Sequence, residues 1–210
     1  MPLTYANQIT MEKSPDYFIN PEVAKRIYDW NPNLKMILLI RDPVKRALSH
    51  FAHFLSIVNK TNYESTKYDV ISKMFDKSVF YKNGSISRNR WINGGLYSEH
   101  YKVWLKFFKK EQFLFLNGEN FITHPYEEVK KVENFLGLNP FIQKEHFVYD
   151  NQKGFFCKRK DLSKNKLECM GSEKGRKHPF ISTASLDKLN QFYKPFSSEL
   201  FKLIDQKPYW

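Results

Sequence analysis

The chain has 210 residues, 41% of them hydrophobic and 17% aromatic, including 19 Phe. That content can bury one substantial core and falls short of two, and no stretch reaches the roughly 18 apolar residues of a membrane span. A formal net charge of +12, from 34 Lys and Arg against 22 Asp and Glu, favours polyanionic partners: nucleic acid, anionic lipid, sulfated glycan or a phosphorylated cofactor.

No charged-then-apolar leader follows Met1, so the chain as written shows neither signal peptide nor anchor. Residues 1–20 read as irregular, because Pro15 opposes continuous helix. A short amphipathic helix is expected over residues 21–30, with Val23, Ile27 and Trp30 on one face, ended by Asn31-Pro32-Asn33. Met36 to Ile40 form a continuous apolar run, the pattern of a strand buried on both faces, which ends on Arg41. Asp42 can cap the next helix and Pro43 suits its first turn. That helix should run to about Val58, with Ala47, Leu48, Phe51, Phe54 and Leu55 inward. Arg41 thus stands at the carboxyl end of a parallel strand, the edge where open α/β sheets bind ligands.

Residues 59–93 are polar and poorly periodic, a loop region with short helices. A helix follows over residues 96–108, with Tyr97, Tyr101, Trp104, Leu105 and Phe108 on one side, then a strand from Gln112 to Leu116. The helix from Tyr126 to Leu136 is closed by Gly137. Strand and helix in alternation argue for an α/β sheet and one domain, 1–210. Beyond Phe147 the chain reads as loop until a final helix, from about Ser185 to Phe192, continuing after Pro195 to about Ile204.

Several groups of residues can carry chemistry. Arg41 and Ser49, eight residues on, can grip one phosphate by charge and hydrogen bond; the plain alternative is an arginine paired with Asp42 and a surface serine. In Lys174-Gly175-Arg176-Lys177-His178 the glycine lets backbone approach an anion that the cations attract, or the segment is a solvated loop. Phe155 and Phe156, preceded by Gly154, can face a purine or belong to the core. Lys13, in Glu12-Lys13-Ser14-Pro15, can neutralise a leaving group or simply be exposed. Cys157 and Cys169 are either a local disulfide, which would contribute on the order of 3 kcal/mol, or two reduced thiols. The sequons Asn59-Lys60-Thr61 and Asn83-Gly84-Ser85 suit a secretory lumen. There is no GxxxxGK[ST] loop, no GxGxxG and no metal-spaced Cys/His cluster, which disfavours a nucleotide triphosphatase or a zinc enzyme, and no metal is expected.

Taken in order, Glu12-Lys13-Ser14-Pro15, Leu39 to Ser49, Lys153-Gly154-Phe155-Phe156-Cys157 and Lys174 to Pro179 resemble the heparan sulfate sulfotransferases. The likeness is nearest to the glucosaminyl 3-O-sulfotransferases, with the N-sulfotransferase domain of the deacetylase/sulfotransferases a near relative. The resemblance implies a P-loop-like α/β fold, a parallel sheet flanked by helices, that moves a sulfuryl group from 3′-phosphoadenosine-5′-phosphosulfate to a glucosamine of heparan sulfate, the 3-O position foremost. By motif, Arg41 and Ser49 would hold the 3′-phosphate, Phe155 and Phe156 the nucleoside, and Lys174, Gly175, Arg176, Lys177 and His178 the phosphates. Lys13 would lie near the transferred group and the acceptor, and Cys157 and Cys169 match the family's disulfide.

His53 replaces the glutamine with which 3-O-type members touch the glycan, and Arg88 and Asn89 fall near a second glycan contact. The family's first strand, 5′-phosphosulfate loop, following helix and base glutamate are not found in the chain; Glu12 is not at the base position. The expectation is therefore a domain incomplete at its N-terminus, or a natural short form with a defective cofactor site. From another class, a catalytically defective module would bind heparan sulfate or another polyanion. Nucleic acid is not an expected partner, because the cations gather around the cofactor-like motifs. The resemblance also implies a glycoprotein of the Golgi lumen, joined to the membrane only through an N-terminal anchor absent from this chain.

Overall fold

The computed structural model describes residues 5, 8–58, 68–171 and 178–210. Two apolar five-residue runs pair in parallel at its centre: β1 (Met36–Ile40) and β2 (Phe113–Asn117), in register from Met36 opposite Phe113 to Ile40 opposite Asn117. A parallel pair needs a long crossover, which here consists of α2 (Pro43–Val58), α3 (Tyr68–Val79), α4 (Arg90–Asn93) and α5 (Tyr97–Trp104). Before β1 comes α1 (Pro21–Trp30), capped by the Asn20 side chain on the Glu22 N–H. After β2 come α6 (Gly118–Thr123) and α7 (Pro125–Leu136), the latter ended by Gly137 in the left-handed conformation, φ 69°. An antiparallel hairpin, β3 (Phe147–Asp150) and β4 (Phe155–Lys158), precedes the long closing helix α8 (Thr183–Leu203).

The apolar faces meet in two clusters. In one, Ala47, Phe51 and Leu55 of α2 pack with Phe75 and Val79 of α3, Ile92, and Leu189 and Tyr193 of α8. In the other, Ile40, Phe113 and Phe115 of the sheet pack with Tyr97, Tyr101 and Trp104 of α5, Ala24 of α1 and Leu200 of α8. Tyr101 meets Phe113 and Phe115 edge-on, with ring centroids 5.0 and 4.9 Å away, a favoured aromatic geometry. Helix α8 serves both clusters and runs unbroken through Pro195.

Five expectations change. β1 is not covered on both faces: Leu39 is 59% exposed and only Ile40 is buried, and among the described residues β1 pairs with β2 alone. Phe54 is 39% exposed rather than inward. The region 59–93 contains a twelve-residue helix, α3, and the segment after Phe147 folds as a hairpin rather than a loop. The helix expected to reach Phe108 stops at Trp104, where the Phe107 and Phe108 N–H groups both bond the Trp104 carbonyl and turn the chain. No helix among the described residues is long and apolar enough to cross a membrane.

Candidate functional site

The register that sets Ile40 opposite Asn117 makes two neighbouring strands end side by side, and each turns at once into a helix. On the first, Asp42 accepts the Val44 and Lys45 N–H groups at 2.8 and 3.2 Å and starts α2. On the second, Asn117 accepts from Glu119 and Asn120 at 3.0 and 3.1 Å and starts α6. Gly118 makes the close approach possible: a Cβ there would stand 2.8 Å from the Ile40 carbonyl oxygen and 3.1 Å from the Arg41 Cβ.

Arg41 and Glu119 meet across this junction. Glu119 Oε1 lies 3.0 Å from both Nε and Nη2 of Arg41, and Oε2 lies 3.7 Å from Lys45 Nζ. The arginine's partner is therefore Glu119, not the adjacent Asp42, which is engaged as a helix cap. The Tyr97 hydroxyl donates to the Arg41 carbonyl at 3.1 Å and fixes the strand end from below; burial pushes this phenol up to about 12. His178, just before α8, lies within the field of Arg41, Lys45 and Glu119. Partial desolvation first, and then Arg41, hold its imidazole below the ordinary histidine value, with Glu119 acting in the opposite direction.

The turn bearing Glu119 is held from behind. Glu128 of α7 is fully buried, accepts the Asn117 N–H at 3.0 Å and the Asn120 Nδ2 at 2.7 Å, and pairs with Lys131 at 2.6 Å. Helix α6 also packs against β4, and so ties the Arg41 junction to the strand that carries Phe155 and Phe156. Phe156 meets Tyr149 of β3 edge-on at 5.2 Å, and both phenylalanines are half-buried. The hairpin turn is closed by Asp150, which accepts from Gln152 and Lys153, and by Gly154 at φ 72°. Cys157 of β4 is joined to Cys169 by a disulfide, beside a bridge pairing Lys158 with Glu168.

The other sequence-derived candidates are spread more widely. Ser49 is half-buried on α2, two turns beyond its start, and Lys13 is exposed in the irregular segment before α1. His53 is exposed on α2, three residues beyond His50. The Arg88 guanidinium pairs with Glu99. The Asn89 carboxamide is engaged in structure: it caps α4 by accepting from Trp91 and Ile92 at 2.9 and 3.1 Å, and its Nδ2 donates to the Ser78 carbonyl. Lys174, Gly175, Arg176 and Lys177 lie outside the described residues, as does the sequon at Asn59. Asn83 is exposed in a turn with Gly84 at φ 80°.

Glu119, Lys45 and Glu128 were missing from the candidates drawn from sequence. The signal for the first was present: Asn117-Gly118-Glu119 directly after an apolar strand repeats the strand-to-cap logic of Arg41-Asp42-Pro43. Chemically, the arrangement presents two permanent cations and an imidazole at the carboxyl ends of parallel strands, with a single carboxylate bridging the cations. Such a site retains a positive excess and suits a phosphate or sulfate.

Comparison with known proteins agrees with this frame. The sulfotransferase domain model matches residues 22–205. Heparan sulfate glucosamine 3-O-sulfotransferase 5 of Mus musculus is 34% identical over 213 residues, covering 100% of this chain and 59% of that protein. Heparan sulfate glucosamine 3-O-sulfotransferase 3B1 of Mus musculus is 35% identical over 213 residues, 52% of its length. The chain thus spans little more than half of these curated relatives. Among solved structures, a sulfotransferase from Alicyclobacillus acidocaldarius shares the fold with a TM-score of 0.54 at 20% identity, over 93% of this chain and 64% of that one. With the domain match running from the first helix almost to the end of the chain, this protein belongs to the sulfotransferase domain family.

Proposed function

We propose that this protein transfers a sulfuryl group from 3′-phosphoadenosine-5′-phosphosulfate to a glucosamine residue of heparan sulfate, at the 3-O position. The observation that carries the reading is the Arg41 guanidinium at the carboxyl end of β1, with Lys45 held by the same Glu119 carboxylate. The names of the relatives, 34–35% identical over the whole chain, supply the acceptor class, and the donor is the one the family resemblance implies. The reading takes residues 1–210 as one sulfotransferase domain and places it in the Golgi lumen.

Among the described residues, the chemistry of Arg41 suits the donor's 3′-phosphate. Arg41 and Ser49 would take the 3′-phosphate, since a guanidinium offers paired donors and a hydroxyl adds a third. Phe155 and Phe156 would face the nucleoside, and Lys174 to His178 would surround its phosphates. Bound, the donor supplies an activated sulfuryl group. Lys13 would neutralise charge near that group, and a base must still take the acceptor proton, because a sugar hydroxyl is a poor nucleophile without one. On the acceptor side, His53 and Arg88 would touch the glycan, while Asn89 would act by holding α4 in place.

The test is transfer to a heparan sulfate acceptor followed by disaccharide analysis. A 3-O-sulfated glucosamine product is expected, and Arg41→Ala should weaken binding of adenosine 3′,5′-bisphosphate about 100-fold. An N-sulfated product would point to the N-sulfotransferase relatives instead. Glycan binding with no nucleotide binding, unaffected by Arg41→Ala, would leave a polyanion-binding module.

A further inference from the structure

A carboxylate touching an arginine that is to hold a phosphate either competes for that cation or aims it. The geometry separates the two. Oε1 of Glu119 is equidistant, at 3.0 Å, from Nε and Nη2 of Arg41, so it occupies the side edge of the guanidinium. Of the five N–H donors, that edge uses two. Of the remaining three, two lie along the end edge formed by Nη1 and Nη2, the fork able to grip two oxygens of one phosphate, and the third points to the opposite flank. Oε2 meanwhile faces Lys45 Nζ, so one carboxylate holds both cations.

The position is built into the fold. Gly118 admits α6 against the end of β1, Asn117 caps the helix by accepting the Glu119 N–H itself, and buried Glu128 grips the Asn117 N–H. Every one of these contacts fixes where the Glu119 backbone stands relative to Arg41. An arginine ordered in the folded protein loses less conformational freedom on binding than a freely rotating one. About a quarter of the Arg41 side chain is exposed to solvent.

We propose that Glu119 is a positioning residue: it aims the end edge of Arg41, with Lys45 alongside, at the 3′-phosphate of the donor nucleotide and so sets the preference for nucleotides that carry this phosphate. The inference rests on the reading of Arg41 as the 3′-phosphate site. Glu119 contributes orientation, and Arg41 and Lys45 contribute the charge.

Titration calorimetry with adenosine 3′,5′-bisphosphate and with adenosine 5′-phosphate tests this, the ratio of the two affinities being the readout. Glu119→Ala should weaken the bisphosphate about tenfold and leave the 5′-phosphate unchanged, so that the preference collapses. Glu119→Gln keeps the shape and one acceptor oxygen, so it should restore part of the preference. Equal weakening of both nucleotides by both variants would mean a general structural role and would overturn the proposal. Tighter bisphosphate binding by Glu119→Ala would also overturn it, by showing that the carboxylate competes. Arg41→Ala is the control: if it leaves the preference intact, the 3′-phosphate reading of Arg41 fails. If it abolishes the preference while Glu119→Ala does not, only the role of Glu119 fails.

Discussion

The two strand-to-helix junctions at the sheet's carboxyl edge share a design and differ in what holds them. Each couples an apolar five-residue strand to an Asx-capped helix, and their last residues are paired in register. The first leads into α2, sixteen residues whose Ala47, Phe51 and Leu55 are anchored in the core. The second leads into α6, six residues with only Gly118 buried. A helix that short gains little from its own hydrogen bonds. Its anchor comes instead from Glu128, a neighbour on α7 that satisfies the junction's backbone and side-chain donors. One junction is secured by its own helix, the other by a borrowed carboxylate, and the cation sits on the first while its guide sits on the second.

Removing the borrowed anchor should therefore have the largest effect. Glu128→Ala strands the part-buried Asn117 N–H and Asn120 amide, at a cost of about 3 kcal/mol in chemical denaturation. An unchanged midpoint would show that the second junction stands alone as the first does. Next comes Gly118→Ala, whose Cβ would meet the Ile40 carbonyl oxygen, backbone that cannot rotate away. It should cost about 2 kcal/mol and, by moving α6 off β1, lower the preference for the 3′-phosphorylated nucleotide. On the self-secured junction, Asp42→Ala removes only a cap and should cost about 1 kcal/mol. A loss from Asp42→Ala as large as that from Glu128→Ala would dissolve the contrast.

That contrast also explains what sequence could reveal. The first junction was legible because its signals are local: an apolar run, Arg41, a capping Asp42 and Pro43 in the first turn. The second was read only as far as its strand, since the partner that gives Glu119 meaning is 78 residues away. Helix α3 was obscured by polar neighbours, although Ile71, Phe75 and Val79 recur at four-residue intervals and are buried. The hairpin was missed because strands of four residues carry too few alternations to establish a period; cross-strand pairing holds it, and the Cys157–Cys169 link ties β4 to the segment that follows. For β1 an apolar run gave no indication of which face is covered, and Leu39 is open. Asn89 was placed near a glycan contact by the family resemblance, but only the structure shows its amide engaged in capping.

The smallest expected effect separates the ligand side of the first junction from the packing around it. Three imidazoles, His50, His100 and His178, are held below the ordinary histidine value, each chiefly by desolvation, and nearby arginines add to this. A histidine depressed in the folded state binds its proton more readily in the unfolded chain. Its contribution is therefore complete above about pH 6.5 and is lost as pH falls below that value toward the folded pKa. The melting temperature should fall between pH 7.5 and 5.5. His100, buried and bonded through Nε2 to the Asn93 carbonyl at 2.8 Å, should account for part of the slope, so His100→Gln should flatten it. His178 should behave differently once nucleotide is present. An anion at Arg41 and Lys45 offsets the positive field that adds to the desolvation of this imidazole, raises its pKa and draws a proton in on binding. Calorimetry in buffers of different ionisation enthalpy should therefore record proton uptake near pH 6 that vanishes in His178→Gln and persists in His100→Gln. Uptake unchanged in His178→Gln would place the bound phosphate beyond the reach of that imidazole.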